Sequence, residues 1–128
     1  FFHGYTYSAH PLAVAAGLAA LDLYRDENLF ARAKKMEPFW YDACMTLKGL
    51  PNVLDIRCVG LTAGIDLASR PGAVGKRGYE AMERGFHDEG LMLRAVGDSL
   101  ALTPPLIATE NDIGEIFEKT AKVIRAVA

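Results

Sequence analysis

The hydrophobic and polar positions along the chain fall into eight short patterns. From Leu12 to Leu21 nearly every residue is apolar, and Pro11 in front of the run suits a first helical turn, with its fixed φ and missing N–H. Charge returns at Asp22, so this first helix is expected to be covered on both faces. Ten apolar residues fall well short of the roughly 20 that cross a bilayer, and no basic stretch precedes them as in a signal peptide. After Asp26-Glu27-Asn28, a second helical stripe runs through Leu29, Ala33, Met36, Trp40, Ala43 and Leu47 at steps of four and three. Pro38 inside it is expected to kink or split the helix, and Gly49-Leu50-Pro51-Asn52 to end it.

Two strands are predicted next. Leu54, Ile56 and Cys58 alternate with Asp55 and Arg57, and Leu61, Ala63, Ile65 and Leu67 alternate with Thr62 and Asp66, with Gly60 as a tight connection. A helix with Tyr79, Met82 and Phe86 on one face follows the Ser69-Arg70-Pro71-Gly72 turn and closes at Gly90. Leu91–Ala95 and Ser99–Leu102 read as short strands around Gly97-Asp98. Thr109 with Asp112 forms a variant capping box for a last helix carrying Ile113, Ile116, Phe117, Ile124 and Val127. The order predicts an α+β fold, a small antiparallel sheet of three to four strands with helices packed on it.

A length of 128 residues suits one domain, and 51% hydrophobic against 23% charged residues is a globular balance. The net charge of −2 is spread without a basic face, which gives nucleic acid no foothold. Cys44 and Cys58 fall on apolar faces and are expected to be free thiols in a reducing compartment. His3, His10 and His87 lack zinc-type spacing. Lys34-Lys35 and Lys76-Arg77 read as solvated helix-end charges, and Trp40 and Tyr41 as core residues.

Two places invite a functional reading. Thr6 and Ser8, beside the free amides of the Pro11 helix, could hold a phosphate or another anion, or Ser8 could simply cap the helix. Arg94, an arginine within an apolar strand, could grip a carboxylate through two parallel hydrogen bonds, or it could point to solvent or pair with Asp98.

Three blocks in order then carry a resemblance: Gly4-Tyr5-Thr6-Tyr7-Ser8-Ala9-His10-Pro11, Arg57–Ile65, and Leu93-Arg94-Ala95-Val96-Gly97-Asp98 running on to Pro104-Pro105-Leu106. Together they resemble the class III aminotransferases, pyridoxal-phosphate enzymes of fold type I, and within them the ω-amino acid:pyruvate (β-alanine:pyruvate) transaminases. The resemblance implies that residues 1–9 are a loop of the cofactor-binding region and 10–128 the C-terminal small domain. It assigns Thr6 to the cofactor phosphate of the neighbouring subunit, hence a homodimer or larger assembly, and Arg94 to the substrate carboxylate. The implied reaction moves an amino group from an ω-amino acid or amine to a keto acid, with pyruvate favoured, in the cytoplasm. Ala9 stands where many relatives carry Gly, for which only a tighter loop is expected.

None of the six lysines has the context of the family's Schiff-base lysine. The resemblance places that residue, with its acidic partner, before residue 1. The chain is therefore expected to be the C-terminal portion of a longer enzyme and inactive alone. Two alternatives stay open: a self-sufficient α+β binding module, and a class III member with another acceptor.

Overall fold

A computed structural model describes residues 4–128. Phe1, Phe2 and His3, the start of the predicted loop, lie outside the described residues. The order is α1 (Pro11–Asp26), α2 (Leu29–Met45), β1 (Val53–Val59), β2 (Thr62–Leu67), α3 (Lys76–Glu89), β3 (Arg94–Val96), β4 (Ser99–Leu102) and α4 (Glu110–Ala126). The strands form one antiparallel sheet in the order β1-β2-β4-β3, so β1 and β3 are its edges.

Strand alternation explains which face is buried. Ile56, Ile65, Leu100 and Ala95 lie opposite one another across the four strands and face the helices. Onto them pack Trp40 and Cys44 from α2, Ala81 from α3, and Ile113, Phe117 and Ile124 from α4. The other face of the sheet carries Arg57, Gly64, Ala101 and Arg94 in a single row. No helix of the described residues is long and apolar enough to cross a membrane.

Several local expectations change. Helix α2 runs unbroken through Pro38. Pro38 and Lys34 are both exposed, so water can satisfy the Lys34 carbonyl that loses its N–H donor. Leu54 is 70% exposed rather than inward-facing, because a bulge between Val53 and Asp55 inserts it as the extra residue. Strand β3 begins only at Arg94: Leu91 turns back to donate its N–H to the Gly85 carbonyl (2.7 Å) just after the left-handed Gly90.

The buried face of α3 is Arg77, Gly78, Ala81 and Gly85, while Tyr79 and Phe86 of the predicted apolar stripe are exposed. Small residues win that face because the backbone of the β3–β4 hairpin packs directly against it. Arg77, expected in solvent, is buried and donates from Nε to the Ala68 carbonyl (2.8 Å) and from Nη1 to the Val127 carbonyl. Trp40 is core as predicted, but Tyr41 is exposed. Helix α1, expected to be covered, has no buried residue; Leu12, Leu18 and Leu21 are each more than half exposed. Among the described residues α2 packs against it, through contacts such as Tyr24 on Phe30, and most of its apolar surface stays uncovered.

The Thr109 capping box forms as read. Thr109 Oγ1 accepts from the Asp112 N–H (3.2 Å), and the Thr109 N–H donates to Asp112 Oδ2 (2.8 Å). Thr109→Ala is expected to cost about 1 kcal/mol in a urea melt.

On the open face, Arg57 donates from both terminal nitrogens to Asp66 and from Nη1 to Asp55 (2.7 Å). The Arg57 hydrogen bonds, then that from Ser99, hold the Asp66 carboxyl down at about 2 from an ordinary value of 3.8. A carboxylate depressed on folding adds stability that is complete above its unfolded pKa and is lost as pH falls through its folded one. Asp66→Asn is therefore expected to lower the urea midpoint at pH 6, with the gap to the parent closing between about pH 4 and pH 2. High salt should shrink the gap, since Arg57 is more than half exposed.

Candidate functional site

Arg94 opens the edge strand β3, and strand alternation turns it to the open face while Ala95 enters the core. Its cross-strand row runs Arg94, Ala101, Gly64, Arg57. Two arginines thus flank two small residues. The Arg57 guanidinium reaches over Gly64, with Nη2 3.5 Å from where a Cβ would stand. Asp55 and Asp66 already neutralise Arg57. The Arg94 side chain makes no hydrogen bond or ion pair among the described residues.

The alternative of an Arg94–Asp98 pair fails, because the Asp98 carboxylate is fully engaged elsewhere. Its Oδ2 accepts from Ser69 Oγ and the Gly75 N–H (both 2.7 Å), and its Oδ1 from the Gly78 N–H (2.9 Å). Burial pushes this carboxyl up, but the hydrogen bonds outweigh it and leave Asp98 below its ordinary value. The face therefore presents one arginine whose charge has no internal counterpart.

Arg94 also lines an open cleft of about 670 Å³ walled by Met82, Met92, Pro104, Pro105 and Ile116. A single guanidinium beside apolar walls suits a ligand with a carboxylate at one end and hydrocarbon at the other.

Thr6 sits exposed in the turn before α1. Ser8 does not cap the helix: its Oγ accepts from the Tyr5 N–H (3.2 Å), and its N–H donates to the Tyr5 carbonyl (3.1 Å). The cap is His10, whose Nδ1 accepts from the Ala13 N–H (3.4 Å). Sequence reading missed this because imidazole is an uncommon cap. Ala9 is also more than a tightening of the loop. Its φ of 60° is left-handed backbone, which costs an L-residue about 1–2 kcal/mol and glycine almost nothing. Thr6 is no part of the Arg94 cleft, so the two candidates are not brought together in this chain.

Other chemistry is poorly served. No lysine among the described residues is buried, and Lys34, Lys119 and Lys122 are ion-paired with Glu37, Glu115 and Glu118. Cys44 and Cys58 are free, and burial, with Cys58 close by, pushes the Cys44 thiol up and away from nucleophilic use. The described residues hold no cluster of three or more His, Cys, Asp or Glu suited to a metal.

Residues 2–124 match the family model described as Aminotransferase class-III. An omega-aminotransferase of Caulobacter vibrioides is 51% identical over 98% of the chain, and a beta-alanine–pyruvate aminotransferase of Pseudomonas aeruginosa is 37% identical over all of it. Each match takes in 28% of the relative, so the chain spans about a quarter of their length. The structure superposes on part of the omega transaminase of Pseudomonas jessenii solved in complex with PMP, with a TM-score of 0.86 at 31% identity, covering 98% of this chain and 29% of that one.

Proposed function

The chain belongs to the class-III aminotransferases, and from that membership we propose that it is the part of a pyridoxal-phosphate transaminase that recognises the substrate carboxylate through Arg94. The protein that carries it moves an amino group from an ω-amino acid or amine to a keto acid, and the relatives' names favour pyruvate as acceptor. The observation that carries the proposal is the unpaired Arg94 guanidinium on the open sheet face, beside an apolar cleft.

The residues present fit one end of the cofactor. Thr6 offers an exposed hydroxyl in the turn that leads into α1, whose N-terminal helix dipole favours a phosphate. They do not fit the other end. A nucleophilic lysine needs burial or a neighbouring cation to lose its proton at neutral pH, and no lysine here has burial. When bound, pyridoxal phosphate supplies the electron sink for charge developing at the amino-bearing carbon. This chain's own part is to hold and orient. Arg94 places two parallel N–H donors on the substrate carboxylate and fixes the direction of its amino group, while the cleft walls exclude water from its hydrocarbon.

Thr6 serves the phosphate site of a neighbouring subunit in this reading, which makes the working protein at least a homodimer. Residues 1–9 belong with the cofactor region and 10–128 form the small domain. The bare apolar surface of α1 is covered by the rest of the longer protein, and the two free thiols accord with a cytoplasmic setting. The chain alone is expected to show no transaminase activity.

In the full-length protein, Arg94→Ala is expected to lower kcat/KM for carboxylate-bearing donors by about ten- to a hundredfold, the worth of a charge-assisted bidentate contact. Donors without a carboxylate should change by less than threefold. Equal losses on both classes would remove Arg94 from the carboxylate site.

A further inference from the structure

Strand β3 is three residues long, lies at the edge of the sheet and pairs only with β4. So short an edge strand has little of its own to fix the direction in which Arg94 points. The structure supplies the missing rigidity from α3. Before Arg94, the Leu91 N–H bonds the Gly85 carbonyl, and Leu93 packs so closely on Gly85 that an added Cβ would lie 3.0 Å from Leu93 Cδ1. After Arg94, the Gly97-Asp98 turn rests on Gly78, where an added Cβ would lie 2.2 Å from the Gly97 oxygen. Gly78 and Gly85 are two helical turns apart on one face of α3. The helix therefore splints the Arg94 segment at both ends.

The second of these fastenings is held by charge. Helix α3 has no cap from its own N-terminal residue, since Gly75 is the N-cap. The Asp98 carboxylate does that work from across the fold, accepting from Gly75 and Gly78 N–H and from Ser69 Oγ. The Asp98 carbonyl also accepts from the Leu67 N–H (2.9 Å), which ties the same turn to β2. Gly97 takes a φ of 61°, so the two-residue turn is a tight one with little slack.

We propose that Asp98 is a positioning residue for Arg94: by locking the β3–β4 turn to the start of α3, it fixes the guanidinium where a substrate carboxylate meets both donors. Asp98 does not touch substrate. The inference rests on the reading of Arg94 as the carboxylate-binding arginine.

The test uses the full-length protein with two amino donors of similar size, a β-amino acid and an amine lacking the carboxylate. Variants are Asp98→Asn, Ser69→Ala, Arg94→Ala and the Arg94→Ala/Asp98→Asn double. Asparagine keeps the shape but offers an NH2 to N–H groups that need an acceptor. The expected result is a roughly tenfold rise in KM for the β-amino acid with Asp98→Asn, kcat within threefold, and the plain amine within twofold. Ser69→Ala should shift the same KM two- to threefold. In the Arg94→Ala background, Asp98→Asn should add nothing.

Equal losses on both donors with Asp98→Asn, no change on either, or full additivity with Arg94→Ala would overturn the positioning role. An Arg94→Ala variant that keeps its β-amino acid KM would instead overturn the carboxylate reading itself. Should Asp98→Asn fail to fold by circular dichroism, Ser69→Ala carries the test, and an unmoved KM there refutes the proposal.

Discussion

Trp40→Ala is expected to remove about 3–5 kcal/mol of stability, a third or more of what a domain of this size commonly has. Trp40 is fully buried where α2 meets α4, and its ring stands edge-on to Phe117 with centroids 4.7 Å apart. Alanine would leave a cavity lined by sheet and helix residues that are themselves fixed, so collapse can recover little. The indole N–H finds no partner among the described residues, which makes a second variant informative. Trp40→Phe keeps an aromatic edge against Phe117 and removes the unpaired donor, so its cost should be about 1–2 kcal/mol. Urea melts followed by far-UV circular dichroism measure both, because Trp40 is the protein's one tryptophan and fluorescence would vanish with it. A loss under 1 kcal/mol for the alanine variant would mean that α2 does not close the core as described.

Two helix glycines should respond to alanine with opposite signs. At Gly78 the new Cβ would lie 2.2 Å from the Gly97 oxygen and 3.0 Å from Asp98 Cα, both backbone atoms that no rotamer change can move. The hairpin must retreat, breaking the Gly78–Asp98 hydrogen bond, so Gly78→Ala is expected to cost about 3 kcal/mol despite alanine's better helix propensity. At Gly114 in α4 an added Cβ meets nothing within 4 Å, and Gly114→Ala should stabilise by about 0.5–1 kcal/mol. The same urea melts read out the pair. A neutral Gly78→Ala would show that the hairpin does not rest on α3.

The elements with a clear period were legible in the sequence. The stripes of α2 and α4, the alternation of β2 and the Thr109 capping box all appear where their residues place them, because each depends on neighbours a few positions away. Three local readings missed for one shared reason. Leu54 turned outward through a bulge set by pairing with β2, Arg77 was buried by distant carbonyls, and the aromatic stripe of α3 was displaced by the hairpin. In each case a contact remote in sequence outweighed the local pattern.

The candidate site divides in the same way. Thr6 and Arg94 were singled out by residue type, context and the resemblance their blocks carry, and the family model matches residues 2–124. Residue type left open whether Arg94 is free or paired. Only the fold decides it, by giving Asp98 to α3 and Asp66 to Arg57.

By itself, then, the sequence determined the order of helices and strands and the family, since periodicity and motif are properties of neighbouring positions. The tertiary structure alone decided which charges remain available and what holds them in place. Pairing between carboxylates and guanidinium or amide groups depends on distances across the sheet and helices, and those are set only once the core has closed.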